Sequence, residues 1–235
     1  MKIKKFILSL LVFLTAQNFV CAEYYYGLDE EKMGVSKQEE GMSVNQPEFD
    51  TDAYYKKYKK ITKDGAIMQA MELMNSENIS KYSYKALMGN NLTEKPFKIE
   101  FKNLSEINPE YASFDAFGWK KKQTLYIYIN EKHRNAPAEA IAALLAHEAI
   151  HQDEFASLNE ETYAWMLEAA TWMKLSEKNP SVLKSPSSLV SRENMLKKLF
   201  EKGDYTNKYI KKAVYTNPGY KKLPTRSPGF EDEDL

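Results

Sequence analysis

The chain has 235 residues, 43% of them apolar, with 33 basic and 33 acidic side chains and three histidines. That length and apolar share are enough to build a buried core. The even charge balance excludes a polybasic nucleic-acid binder, and nine glycines with nine prolines exclude a collagen-like or low-complexity chain.

Residues 1–22 carry the three parts of a secretory signal. Lys2, Lys4 and Lys5 give a positive start, Phe6 to Leu14 is an apolar run broken by Ser9, and Val20-Cys21-Ala22 offers modest side chains to a signal peptidase. The run falls short of the roughly 18 apolar residues of a membrane span. An exported protein is therefore expected, periplasmic or extracellular, cleaved near Ala22 and with no stable membrane span; lipidation of Cys21 is the alternative. Cleavage removes three lysines and no acid, leaving 30 bases against 33 acids. It also removes Cys21, the sole cysteine, so a metal site in the mature chain must use His, Asp and Glu.

Residues 23–63 read as an extended or weakly ordered lead-in, rich in Glu, Gln, Ser and Tyr, with a Tyr24-Tyr25-Tyr26 cluster. Near its end Lys56, Lys57, Lys59 and Lys60 interleave with Tyr54, Tyr55 and Tyr58. They read as a solvated helix face, with a polyanion contact as the alternative. After Asp64, a plausible N-cap, Ile67, Met68, Met71 and Met74 recur at helical spacing and predict a core-facing stripe rather than a metal-binding Met box. The period then changes to two: Phe97, Ile99 and Phe101, and later Leu125, Ile127 and Ile129, predict strands. Ser113 to Trp119 is a third, joined to the last through a Lys120–Gln123 turn. Pro137 opens an Ala- and Leu-rich helical segment, and a second helix runs from about Leu158 to Ser176. Pro180 and Pro186 suggest a linker over 177–187. A helical C-terminal extension follows at 188–215, with Leu196, Leu199 and Phe200 on one side of its first helix and Gly203 as the stop. Residues 216–235 read as a disordered acidic tail.

The fold class expected is α+β: a small, mostly antiparallel sheet packed on two helices, with helical extensions at both ends and the main domain over 64–176. The chemistry is concentrated in Leu144-Leu145-Ala146-His147-Glu148-Ala149-Ile150-His151. Residues four apart share a helix face, so His147 and His151 can point two imidazoles at one ion while Glu148 flanks it. The apolar neighbours place this helix in the interior, where two imidazoles and a carboxylate need partners that a metal supplies. Zinc fits that donor set, with Glu148 as the base that takes a proton from water.

A third ligand is needed. The long metzincin pattern is excluded, because Glu154 and Ser157 stand where it requires Gly and His. The next helix offers Asn159-Glu160-Glu161-Thr162-Tyr163-Ala164. Ser157 and Glu160 have the capping-box spacing, which occupies Glu160 at the helix start. Glu161, turned about 100° around the axis, shares a face with Ala164 and Glu168. Glu161 is thus expected as the third ligand, with Glu160 as a supporting residue or the alternative ligand and Glu168 supporting His147 from behind.

With His147, Glu148, His151 and Glu161 in these positions, residues 97–175 resemble the gluzincin-type zinc peptidases, a branch of the zincin metallopeptidases. The resemblance implies an exported zinc-dependent hydrolase acting on a peptide or protein substrate. It also implies an edge strand, at Ala116 and Phe117, that pairs with the extended substrate. A zinc-stabilised scaffolding module and a cell-wall peptide amidase are the alternatives. His133 is expected to be solvent-exposed, with an oxyanion-binding role as its alternative. Tyr126, Tyr128 and Tyr163 read as packing residues before oxyanion donors, and Trp165 and Trp172 as core or pocket wall.

Overall fold

The first helix lies where the lead-in was expected. Helix α1, Thr51–Tyr58, falls inside the stretch 23–63. Tyr58 is fully buried and Ile61 follows it into the core, while the intervening lysines are solvated. One anchoring ring fixes a segment whose polar composition conceals it. The structure is a computed structural model that describes residues 51–228 apart from 91, 92, 122 and 154. The expected signal segment, Cys21 and the Tyr24–Tyr26 cluster lie outside the described residues.

Helix α2, Gly65–Ser76, starts where the Asp64 side chain accepts from the Ala66 amide at 3.0 Å. It buries Ile67, Met68, Met71 and Met74 as their spacing requires. Helix α3, Lys81–Met88, is tied to the interior by the Ser83 hydroxyl, which donates to the Ala146 carbonyl at 2.7 Å. Gly89 then turns the chain at φ +95°, and a Cβ there would lie 3.0 Å from the Lys95 carbonyl carbon. Only glycine meets both demands.

Three strands follow, β1 (Lys98–Lys102), β2 (Ala116–Lys121) and β3 (Thr124–Asn130), in the order β1-β3-β2. β2 and β3 form an antiparallel hairpin with Ala116 opposite Ile129 and Lys121 opposite Thr124. β1 runs parallel to β3, with Ile99 opposite Ile127. The sheet is therefore mixed, which corrects the expectation of a mostly antiparallel one. The connection from β1 to β2 passes through two 3-10 turns, Leu104–Glu106 and Pro109–Ser113, and lands β2 on the far side of β3. Alternation reports which face a side chain takes and says nothing of strand direction. Ile99, Phe101, Ala116, Ile127 and Ile129 enter the main core. On the other face Phe117 and Tyr128 stack with Leu104, Tyr111 and Phe114.

Helix α4, Ala138–Glu148, is the centre of the molecule, with Ala140, Ala142, Ala143 and Ala146 completely buried. Their small side chains let α2 and the 21-residue helix α5, Leu158–Lys178, pack closely on two sides. The expected linker is not one. α5 continues to Lys178, and a 3-10 turn at Pro180–Lys184 buries Val182 in the main core. Helices α6 (Ser188–Lys202) and α7 (Lys208–Thr216) pack on α5 around Trp165, Ala169, Leu196, Ile210 and Val214.

The expected tail is corrected as far as residue 228. After the turn Pro218–Tyr220 the chain straps across the start of α5, where the Pro224 carbonyl accepts from the Leu158 amide at 2.9 Å and the Thr225 carbonyl from the Asn159 amide at 3.1 Å. The first amides of a helix have no partner within it, and the strap supplies one to two of them. Among the described residues no helix is long and apolar enough to cross a membrane.

Candidate metal centre

α4 delivers His147 and Glu148 on its last turn and ends there. His151 is carried just beyond the helix by a tighter turn, in which the Ile150 amide donates to the His147 carbonyl at 2.9 Å and the His151 amide to that of Glu148 at 3.3 Å. The two imidazole centroids lie 5.2 Å apart. Across from them α5 presents Glu161. Its Oε2 is 3.8 Å from His147 Nε2 and its Oε1 is 3.7 Å from His151 Nε2. One ligand atom from each of the three residues lies within 4.8 Å of the others. Ligands held at about 2.0–2.2 Å in a tetrahedron sit roughly 3.4 Å from one another, so these gaps are close to what a zinc-sized ion requires.

The donor set passes a second test. His147, Glu148, His151 and Glu161 are exposed by 0, 1, 5 and 1%. His147 Nε2 and both carboxylate oxygens of Glu148 and of Glu161 are buried without a hydrogen-bond partner. Buried polar atoms left unpaired cost roughly 1–3 kcal/mol each, so an ion between His147, His151 and Glu161 would offset part of that cost. The other ring nitrogens are already held. His147 Nδ1 is 2.9 Å from Glu168 Oε2, and His151 Nδ1 is 2.8 Å from Glu160 Oε1. A carboxylate at Nδ1 keeps the proton there and leaves the Nε2 lone pair for a metal.

Charge in the site is finely opposed. Burial works against a positive His151, yet Glu161, the hydrogen bond to Glu160 and Glu148 outweigh it and lift its pKa to about 9. Burial pushes the Glu148 carboxyl up. His147 and His151 oppose that rise and Glu161 and Glu168 add to it.

Glu160 stands behind His151, and its carboxylate does not close the capping box expected of it. The Ser157 hydroxyl does cap α5, accepting from the Glu160 amide at 3.1 Å. The Glu160 carboxylate does not turn back to the cap; it holds His151, and its Oε2 accepts from the Ser227 hydroxyl of the strap at 3.2 Å. The strap also brings in Tyr220, a residue that sequence reasoning missed. Its hydroxyl accepts from Trp165 Nε1 at 3.2 Å, and burial together with the negative Glu161 raises its pKa. The signal for it lies in Asn217-Pro218-Gly219, a turn signature in which Asn217 caps the Gly219 amide at 2.9 Å.

Other candidates fall elsewhere. Ala116 and Phe117 are on the edge strand but wholly buried, and the exposed length of β2 is Trp119–Lys121. The open edge expected at Ala116 and Phe117 is covered. Tyr128, with Tyr126 beside it, packs on the ring cluster of the opposite sheet face, and Tyr163 packs against the main core. Trp165 and Trp172 are core residues.

His133, expected to be solvent-exposed, is completely buried with Nε2 2.7 Å from Asp115 Oδ1. Burial works against the charge on Asp115, but His133, Arg192 and Lys132 hold its pKa below the ordinary 3.8. A depressed carboxylate contributes stability that is complete above its ordinary pKa and is lost as pH falls through the folded value. Urea unfolding at a series of pH values is therefore expected to show wild type more stable than Asp115→Asn near neutrality, with the gap closing in acid. A gap independent of pH would contradict this account.

No family model, curated protein or solved structure matches the chain.

Proposed function

We infer that this protein is a zinc-dependent peptidase that acts after export on a peptide or protein substrate. The reading is carried by one observation: ligand atoms of His147, His151 and Glu161 converge in the interior, and Glu148, next to His147 in the chain, is buried beside them with both carboxylate oxygens unpaired. His147, His151 and Glu161 would hold the metal. Zinc supplies Lewis acidity there, acidifying water and polarising a peptide carbonyl.

The chain's own groups supply the rest. Glu168 and Glu160 hold the two imidazoles in the tautomer that binds metal. Glu148 takes a proton from the attacking water at a carboxylate oxygen and delivers it to the departing amine. Its buried surroundings raise the carboxyl group's affinity for that proton, with His147 and His151 opposing the rise.

A second reading, a scaffolding module in which zinc is structural, is favoured by how little of the site is exposed. Metal analysis of the purified chain, paired with hydrolysis of an unfolded protein with and without chelator, tests both. The peptidase reading expects about one zinc per chain and chelator-sensitive hydrolysis. Zinc without hydrolysis supports the scaffold, and a folded chain that takes up no zinc defeats both.

A further inference from the structure

Behind His147 runs a row of buried charged groups that no metal ligand explains. Glu168 is fully buried, and its Oε2 meets His147 Nδ1 at 2.9 Å. The same carboxylate is gripped by the Arg192 guanidinium, one nitrogen on Oε1 and the other on Oε2 at 2.8 Å. Arg192 is itself held from two more sides: its Nε lies 3.3 Å from Asp115 Oδ2, and the NH1 nitrogen lies 3.3 Å from Glu193 Oε1. Asp115 continues the row to His133 at 2.7 Å and to Lys132 at 3.2 Å. Glu168, Arg192, Asp115 and His133 are exposed by 0, 7, 3 and 0%.

A carboxylate touching a ligand imidazole with one oxygen can rotate about its last torsion, which is soft and broad. The planar guanidinium fork removes that freedom, because two parallel hydrogen bonds fix the plane of the carboxylate as well as its position. With Oε1 and Oε2 both engaged, Oε2 is aimed at Nδ1 and the imidazole is aimed in turn. Arg192 stands on α6, beyond the segment that carries the metal ligands, and α6 thereby becomes part of the site.

We propose that Arg192 is a positioning residue for the metal centre: through Glu168 it fixes the orientation of His147, and the neighbouring Asp115 and Glu193 fix Arg192. This rests on the reading of His147, His151 and Glu161 as metal ligands.

The test measures zinc affinity of the full chain by competition with a chromophoric chelator. Wild type, Arg192→Met, Arg192→Lys and Leu196→Ala are each compared at a temperature where circular dichroism shows the apo chain folded. Arg192→Met is expected to bind one zinc about 10–100-fold more weakly, the size of effect typical for groups that orient a ligand. Arg192→Lys keeps the buried charge, so it folds even where Arg192→Met fails, and loses less affinity because it lacks the fork. The visible spectrum of the cobalt-substituted chain is expected to change in both, since it reports the geometry of the histidine ligand. Leu196→Ala destabilises α6 one turn beyond Arg192, within the Trp165 and Ile210 cluster, and leaves the Arg192–Glu168 contact in place. It is expected to lower the melting temperature and leave zinc affinity and cobalt spectrum unchanged. If wild type and both Arg192 variants bind zinc equally with the same cobalt spectrum, Arg192 is a structural residue only and the proposal is overturned. If folded wild type binds no metal, the metal-site reading itself fails and takes this proposal with it.

Discussion

Glu161→Ala is expected to leave less than about 0.2 zinc per folded chain after metal loading and dialysis, where wild type retains about one. The carboxylate stands 3.7 and 3.8 Å from the two Nε2 atoms and is the one grouped with them, Glu160 and Glu168 being engaged on the Nδ1 sides. The neighbouring Glu160→Ala separates ligand from support. Glu160 touches His151 on Nδ1, while Nε2 is the nitrogen that faces Glu161, so its loss should weaken zinc binding about 10–100-fold while the stoichiometry stays at one. The sequence alone assigns Glu160→Ala no more than the loss of a helix cap, about 0.5–2 kcal/mol; the His151 contact makes the affinity loss the larger signature. Metal titration of both variants decides the assignment. An empty site in Glu160→Ala beside a full one in Glu161→Ala would reverse the roles given to these two residues.

Glu148→Gln is expected to keep fold and zinc while hydrolysis falls about 10²–10⁴-fold, the share that proton transfer by a placed side chain contributes. The two side chains have the same shape, and neither Glu148 oxygen makes a hydrogen bond that the amide would break. Glu148 is also 1% exposed, in surroundings that favour an uncharged side chain. Gln is therefore tolerated where it stands, and melting temperature should change little. The amide nevertheless cannot accept the proton. Turnover of unfolded protein by the zinc-loaded variant is the readout, and full activity would remove Glu148 from the chemistry.

How legible was this in the sequence? His147, Glu148 and His151 stand out because their spacing and apolar neighbours are local, and the Met stripe of α2 and the alternating residues of β1 and β3 are legible for the same reason. Glu161 was within reach because it follows a cap residue, Ser157, that phases the helix. What escaped depends on partners distant in the chain. Glu160 was assigned to its own cap, since nothing local says that His151 lies nearer. His133 looks solvent-exposed until β2 brings Asp115 against it. Arg192 reads as one charge on an amphipathic helix, and its place is set by Glu168, which lies 24 residues earlier. Val182, Tyr220 and Ser227 were hidden in segments whose Pro, Ser and Lys content suggests a linker or a tail, because composition does not register single buried anchors. The direction of β1 was hidden too, since it follows from the path of the connection and not from any residue in the strand.

The strap has a consequence for the order in which the site can be made. Ser227 meets Glu160 across 67 positions of sequence, and Pro224 and Thr225 complete the amides at the head of the helix that carries Glu161. A chain emerging from the ribosome shows its histidine pair first, gains the third ligand next, and acquires the groups that hold the ligand helix only when synthesis has passed residue 227. The start of α5 is therefore complete only once residue 227 has been made, which ties the folding of this corner of the molecule to the arrival of the strap.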